Sequence, residues 1–186
     1  MDNNIITVHG QILFDPPNVT EKHKKQGEWK KVAILQIGSD LEKYYGWFIK
    51  KRYDIGLTTT LRSAHVTFIN DTFNTIHGSN KLVKELHWKS VKTKWDGKEV
   101  NIQLNISPRT DGDYWWLNVY SESKNPLQDI REELGLGLPY FGMHMTIGRP
   151  IDKYEGGQLD HSGKKIKKTN ISQAKYIHEL IKKGFL

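Results

Sequence analysis

Two segments of this 186-residue chain constrain its fold more than any other feature, because both alternate apolar and polar side chains in the same way. Residues 64–68 read AHVTF, and residues 143–147 read MHMTI. Successive side chains of a β-strand point to opposite faces of the sheet. Both segments are therefore predicted to be strands that have an apolar core face and a second face carrying a histidine and a threonine.

The spacing of histidine and threonine is weak evidence when it is taken alone. The chain has eight histidines, so about one such match to serine or threonine is expected from composition, and His77 with Ser79 also matches. His65 and His144 differ from it because apolar residues flank their motifs, whereas His77 is predicted to be a surface residue in a turn beside Gly78. Either motif alone reads as a strand histidine bonded to a neighbour, with threonine present for its β propensity. The pair, 79 residues apart, favours a catalytic interpretation.

Strand and helix signals alternate along the rest of the chain. Strands are predicted at 5–14, 32–37, 64–69, 100–106, 114–120 and 141–148, with 100–106 and 114–120 as hairpin partners. Helices are predicted from Ser39, which has capping-box spacing with Glu42, and at 81–88, 126–134 and 170–183. Strands joined by hairpins, with helices between them, indicate an α+β fold with a mainly antiparallel sheet.

Composition removes several classes of function. The length suits one domain, or two small lobes that share an interface. The chain has no cysteine, which excludes disulfide scaffolds, thiolate zinc sites and cysteine nucleophiles. The first residues are polar and acidic, which is not typical of a signal peptide. No apolar run approaches the length of a membrane span. The sequence therefore predicts a soluble, cytoplasmic protein that does not bind a membrane.

The net charge of +7 is concentrated near the end of the chain. Residues 151–186 hold eight basic and four acidic side chains, including the run KKIKK at 164–168. Clustered lysines attract polyanions and raise the local concentration of phosphates. The alternative is a solvated loop that precedes the last helix.

Two imidazoles and two hydroxyls on matching strand faces are sufficient for phosphodiester chemistry. Cleavage needs one proton taken from the attacking hydroxyl or water and another given to the departing oxygen, and two histidines do this when one is neutral and one protonated. Threonine hydroxyls can donate hydrogen bonds to the non-bridging oxygens. The predicted catalytic set is His65, Thr67, His144 and Thr146, without metal or other cofactor. The sequence leaves open which histidine is the base.

Side chains near the motifs in sequence are the candidates for substrate binding. Tyr140 and Phe141 precede the second motif, and Arg149 follows it, where a guanidinium could reach a phosphate. Arg62 stands three residues before His65 and follows the same logic. An ordinary core or surface role is at least as compatible with each of these residues.

Trp115 and Trp116 are adjacent on a predicted strand and so face opposite sides of it. One is expected to pack in the core, while the other could stack on a base. Trp116 is the predicted substrate-binding residue of the two. Packing is the simpler interpretation for either tryptophan alone.

The paired His-x-Thr motifs on two strands resemble the signature of the two-histidine (2H) phosphoesterase superfamily, which includes RNA-ligase-like and cyclic phosphodiesterase enzymes. The resemblance covers the order of elements from about 32 to 149. It implies a bilobal α+β domain spanning 1–186, in which two antiparallel sheets flank a central cleft with helices outside, and a basic C-terminal extension at about 151–186. Among its branches, the chain is most similar to phage-encoded, RNA-repair-like members, a group that includes anti-CBASS enzymes that degrade cyclic nucleotide alarm signals.

The resemblance implies a metal-independent hydrolase that cleaves cyclic or 2′-linked nucleotide phosphodiesters, in the host cytoplasm if the chain is phage-encoded. A monomer is expected, although the sequence leaves the oligomeric state open. RNA end repair or 2′,5′ ligation, the reverse of the same chemistry, is an alternative; energy-coupled sealing is disfavoured because no P-loop or nucleotide-binding lysine motif is present. An alternative of another class is a non-catalytic RNA-binding module, suggested by the net charge, the basic tail and the aromatic residues. The sequence does not name the substrate.

Overall fold

A computed structural model describes residues 4–17, 29–60, 62–70, 83–121, 125–139 and 142–151. Within these ranges the chain is α+β and has seven strands and three helices. The strands are β1 Ile5–Phe14, β2 Ala33–Ile37, β3 His65–Ile69, β4 Glu99–Asn105, β5 Arg109–Thr110, β6 Trp115–Asn118 and β7 His144–Gly148. The helices are α1 Ser39–Tyr53, α2 Glu85–Trp95 and α3 Pro126–Glu133.

The seven strands belong to one sheet, in the order β4-β1-β2-β3-β7-β6-β5. The paired registers are antiparallel between β1 and β4, β1 and β2, β2 and β3, β3 and β7, and β5 and β6. The predicted α+β class with antiparallel sheet is confirmed. The expectation of two sheets flanking a cleft is not confirmed.

The first of two compact units comprises Met1–Ile37, His65–Ile106 and Asn118–Met145. Its longest strand is β1, which from Val8 onward buries every second residue, including Val8, Ile12 and Phe14, as the period of a half-buried strand requires. The ring of Phe14 meets Phe68 of β3 edge-on at 6.5 Å and Trp88 of α2 at 4.9 Å between centroids. These rings form the part of the core that lies behind the first motif strand.

The second compact unit comprises Gly38–Ala64, Ser107–Leu117 and Thr146–Leu186. Helix α1 buries Tyr45 and Ile49, which are one turn apart on the same face. The ring of Tyr53 lies 5.6 Å from the fully buried ring of Trp115 in β6. After the helix, the amide of Thr58 donates to the carbonyl of Arg149 at 2.8 Å, so the backbone near residue 58 pairs with the segment that follows β7.

Most predicted elements are found with bounds that differ by one or two residues. The strand at 5–14 has the predicted bounds, and α3 begins with Pro126 in its first turn, capped by the Asn125 side chain, which accepts the Leu127 amide at 3.0 Å. Gly135 follows the end of this helix with φ of 72°, a conformation that favours glycine. The predicted helix at 170–183 lies outside the described residues.

The predicted capping box at the start of α1 is wrong. The N-cap residue is Gly38, which has no side chain to make a capping bond. Glu42 does not reach back to the helix start, because its Oε1 accepts the backbone amide of Thr60 at 2.6 Å. Its side chain is therefore directed into the unit, and the residue is 3% exposed.

Two further predictions are corrected by the strand and helix bounds. The helix predicted at 81–88 begins after Lys84 and extends to Trp95. Its buried residues are Trp88 and Val91, and the lysines around them obscured this apolar face in the sequence. The predicted partnership of 100–106 with 114–120 holds only at one bridge, between Leu104 and Val119. In the sheet, β6 lies instead between β7 and the short strand β5.

None of the helices in the described ranges is long and apolar enough to span a membrane.

Candidate functional site

The two motif strands are hydrogen-bonded neighbours in the sheet. Val66 of β3 pairs with Met145 of β7 in antiparallel register. Carried one residue along the strands, this register sets Thr67 opposite His144. Side chains that are directly opposite in an antiparallel pair have Cβ atoms about 4.5–5.5 Å apart. One residue from each motif therefore meets its counterpart across the strand pair.

Burial separates the two faces of both strands in the same way. Val66 and Met145 are completely buried, whereas His65, Thr67 and His144 are half-buried. The apolar residues pack into the core of the first unit because that position removes their surface from water. The polar residues consequently share the opposite, partly solvated face.

His65 and His144 occupy diagonal positions on this face, since His65 lies two residues from Thr67, which faces His144. Diagonal neighbours in an antiparallel pair have Cβ atoms roughly 7–8 Å apart, which is within reach of long or aromatic side chains. Thr146 follows Met145 in β7 and is half-buried like His144, as alternation along one strand requires. Two imidazoles at this separation can approach opposite sides of one small anion.

Trp29 is a neighbour of the first motif that the sequence did not reveal. Its ring centroid lies 6.5 Å from that of His65, and the two ring planes meet at 61°. Trp29 is half-buried and lies outside any strand or helix pattern. Because periodicity marks only regular elements, no signal in the sequence associated this indole with the histidine.

Arg149, a predicted phosphate ligand, packs against a tyrosine of the second unit. The central guanidinium carbon lies 4.8 Å from the centroid of the Tyr114 ring, within the range of a cation–π interaction. The backbone of Arg149 is bonded to Thr58 in both directions, since its amide also donates to the Thr58 hydroxyl at 3.2 Å. Both the side chain and the backbone of Arg149 are thus held in place after β7.

The remaining substrate-binding candidates differ in how deeply they are buried. Arg62 is 6% exposed, and burial lowers the pKa of its guanidinium from the ordinary value. Trp115 is completely buried while Trp116 is half-buried, which matches the alternation predicted for this pair. Tyr140 and Phe141 lie outside the described residues.

Arg131 is a second residue that sequence reasoning missed. It belongs to α3 and is 1% exposed, and its guanidinium donates to the carbonyls of Phe68 and Gly137, each at 2.7 Å. The available signal was its place on the buried face of the predicted helix, one position after Ile130 and four after Leu127. A charged residue in such a stripe is unusual and requires hydrogen-bonding partners.

The described ranges contain no group of three or more histidine, cysteine, aspartate or glutamate side chains arranged to hold a metal ion.

The chain matches no known family model, no curated protein and no solved structure.

Proposed function

We propose that this chain is a phosphodiesterase of the two-histidine kind, in which His65 and His144 exchange protons with a cyclic or 2′-linked nucleotide phosphodiester. The observation that carries the proposal is the pairing of Val66 with Met145. This register makes the two His-x-Thr strands neighbours and gives them a common half-buried polar face. A protein that used either histidine only for packing would have no need to place the two motifs on one face of neighbouring strands.

The reaction follows from two proton transfers at one phosphorus atom. The neutral imidazole accepts the proton of the attacking oxygen as the new phosphorus–oxygen bond forms, and the protonated imidazole donates to the leaving oxygen as the old bond breaks. Exchange with solvent then restores both histidines. Attack by water gives hydrolysis, whereas attack by a ribose hydroxyl gives transesterification.

The threonines have the supporting role in this proposal. As the phosphorus atom becomes five-coordinate, negative charge increases on its two non-bridging oxygens, and hydroxyl donors nearby lower the energy of that state. Thr67, opposite His144, and Thr146, two residues after it, are suited to this role. Side chains can therefore supply every group that the reaction needs, without a metal or another cofactor.

The substrate class is proposed from the motif and from its surroundings. Trp29 beside His65 offers an aromatic face on which a base could stack, an interaction worth about 1–3 kcal/mol per base in proteins that bind single strands. Together with the resemblance to the 2H superfamily, this supports a nucleotide and, more narrowly, a cyclic oligonucleotide immune signal. The proposal includes the bilobal arrangement of that family.

The test is a substrate screen in the presence of a chelator. Purified protein is incubated with EDTA and 2′,3′-cyclic nucleotides, cyclic di- and trinucleotides, and 2′,5′-oligoadenylates, and new phosphomonoester ends are quantified. We expect turnover of at least one substrate, with kcat/KM bell-shaped in pH because one imidazole must be neutral and the other protonated. Turnover that disappears with EDTA and returns with one divalent ion would refute the metal-free mechanism.

A non-catalytic RNA-binding role is the second candidate, and α1 carries the observation that favours it. Tyr44 and Trp47 are 53% and 56% exposed, their ring centroids are 6.0 Å apart, and Lys43 and Lys51 are exposed on the same helix. Exposed rings beside cations can bind single-stranded nucleic acid without sequence preference. If no substrate is cleaved while RNA binds with a strong salt dependence, this becomes the better interpretation.

A further inference from the structure

The first motif strand contains an irregularity directly after Thr67. Along β2 and β3, Ala33 pairs with Ile69, but the next residue of β2, Ile34, pairs with Thr67. Phe68 is therefore one extra residue in β3, which makes this site a β-bulge. Phe68 and Ile69 are both buried, so the alternation that governs the motif ends here. Bulges redirect neighbouring side chains and are frequent beside active sites.

The bulge is bonded to the buried guanidinium of Arg131. A bulge disrupts the ladder locally, and the Phe68 carbonyl accepts from Nη1 of Arg131 at 2.7 Å. Nε of the same side chain donates to the Gly137 carbonyl, also at 2.7 Å. Because the guanidinium is planar and its donors are fixed relative to one another, these two carbonyls are held in a defined relation.

The second carbonyl belongs to the segment that leads toward the other motif. Gly137 lies seven residues before His144, and the turn before it is tied to the same residue of α3, since the Leu136 amide donates to the Arg131 carbonyl at 2.8 Å. Arg131 thus contacts the end of one motif strand and the approach to the other. All of these groups lie within the first compact unit.

Stability alone is a weak reason for the buried guanidinium of Arg131 in α3. Removing an ion from water costs several kcal/mol, and replacing buried charged groups with apolar side chains of similar volume is often neutral or stabilising. An apolar residue would also suit the buried face of α3, which Leu127 and Ile130 form. What an apolar residue cannot do is hold two backbone carbonyls at fixed positions.

We propose that Arg131 is a positioning residue for the reaction. By holding the bulge carbonyl and the Gly137 carbonyl with one guanidinium, it fixes the orientation of Thr67 and its register opposite His144. The inference rests on the proposed function, since the face it orders is the face assigned to catalysis. Arg131 itself does not touch the substrate.

The test compares Arg131→Lys and Arg131→Met with Ile130→Val, a core change on the same helix that leaves both carbonyl bonds in place. Arg131→Lys keeps the charge but loses the planar set of donors, and Arg131→Met keeps a similar volume without the charge. We expect both to fold and to lose about 10- to 100-fold in kcat with KM nearly unchanged, as displacements near 1 Å do. Ile130→Val should retain the kcat of the parent.

NMR separates this inference from the proposed function. Backbone amide and threonine methyl resonances are compared among the three variants and the parent, which requires no turnover. We expect Thr67 and His144 to shift in both arginine variants and to stay in place in Ile130→Val, even if the parent cleaves none of the substrates and the proposed function fails. Three outcomes would overturn the positioning role. Arg131→Lys and Arg131→Met could both keep the resonances and kcat of the parent, Ile130→Val could lose as much kcat as they do, or both arginine variants could unfold.

Discussion

The strand that carries His65 and the strand that carries His144 have the same burial pattern residue for residue, yet different groups hold their ends. Before β3, the amide of Thr60 donates to the buried carboxylate of Glu42. At the end of β3, the carbonyl of Phe68 accepts from the buried guanidinium of Arg131. One end of the first motif strand thus bonds a buried guanidinium, and a segment that precedes the strand in sequence bonds a buried carboxylate.

Backbone contacts dominate at β7. Before this strand, the carbonyl of Met143 accepts the amide of Val119 at 2.9 Å. After it, Arg149 is bonded to Thr58 in both directions, and Gly148 lies so close to the Thr58 carbonyl that a Cβ atom would overlap it. The second motif strand is thus held mainly by main-chain bonds, with one bond to the Thr58 hydroxyl, and by the absence of a side chain at Gly148.

This difference shows that a repeated local pattern does not specify its tertiary support. Alternation decides which side chains of each strand face the core, and it is the same for both motifs. The supports lie elsewhere in the sequence and follow no repeat. We therefore expect the two strands to respond alike when reacting groups are removed, and differently when their supports are changed.

The largest effect is expected from the two histidines, where the strands should behave alike. Loss of one acid or base group should lower kcat by about 10²- to 10⁴-fold, so His65→Ala and His144→Ala should both fall in this range. The double variant should lose less than the product of the single losses, because the two groups act as a unit. The fold should persist, since the core face is unchanged, and circular dichroism checks this.

His77→Ala is the matched control for the histidine variants, because His77 has the same spacing to a hydroxyl residue but has Gly78 and Asn80 where the two motifs have apolar residues. It should retain the parent rate. If His65→Ala and His144→Ala also retain it, the paired motif is a structural coincidence.

Gly148→Ala should disturb β7 and leave the supports of β3 unchanged. An added methyl would meet the Thr58 carbonyl and lie 3.1 Å from Cβ of Leu57, and backbone cannot move aside as a flexible side chain can. Overpacking of this kind costs about 1–3 kcal/mol, which lowers Tm by roughly 2–4 °C per kcal/mol in a chain of this size. Gly137→Ala is the control, since nothing lies within 4 Å of its added Cβ. Equal Tm values for the two variants would contradict the close approach.

The threonines should give a smaller loss than the histidines. A neutral hydroxyl donor contributes about 0.5–1.5 kcal/mol, and water can partly replace it. Thr67→Ala and Thr146→Ala should therefore lower kcat by up to about tenfold and leave stability almost unchanged. Thr7→Ala, an exposed threonine of β1, controls for the loss of β propensity. A loss as large as that of a histidine variant would assign the threonine a role in proton transfer.

The elements that periodicity marks could be predicted from the sequence. The bounds of β1, the start of α3 at Pro126 and the two faces of each motif strand follow from alternation, capping and apolar spacing. The bulge at Phe68 could not be predicted, because it is a property of how two strands pair and not of either strand alone.

Long-range polar contacts account for what the sequence did not reveal about the candidate site. Glu42 has the spacing of a capping residue, but its partner is an amide 18 residues later. Arg131 bonds a carbonyl 63 residues earlier, and Trp29 approaches His65 from an irregular segment. Each of these contacts depends on where the chain returns in space, for which a single sequence carries no periodic signal.

The support before β3 should also make stability depend on pH. Burial raises the pKa of Glu42 above its ordinary value, and its hydrogen bonds with Thr60 oppose this only in part. The folded chain therefore holds this proton more tightly than the unfolded chain does. The resulting stabilisation is fully present below the unfolded pKa of 4.5 and is lost as pH rises through the folded pKa.

Glu42→Gln should remove this dependence, which is the smallest effect expected here. Glutamine keeps a carbonyl oxygen that can accept the Thr60 amide but cannot ionise, so urea unfolding between about pH 4 and 8 should have a flatter profile. At neutral pH the variant should be at least as stable as the parent, because it buries no charge. Glu132→Gln, at an exposed position of α3, should keep the parent profile. A parent-like slope in Glu42→Gln would mean that the pKa of Glu42 is the same in the folded and the unfolded chain.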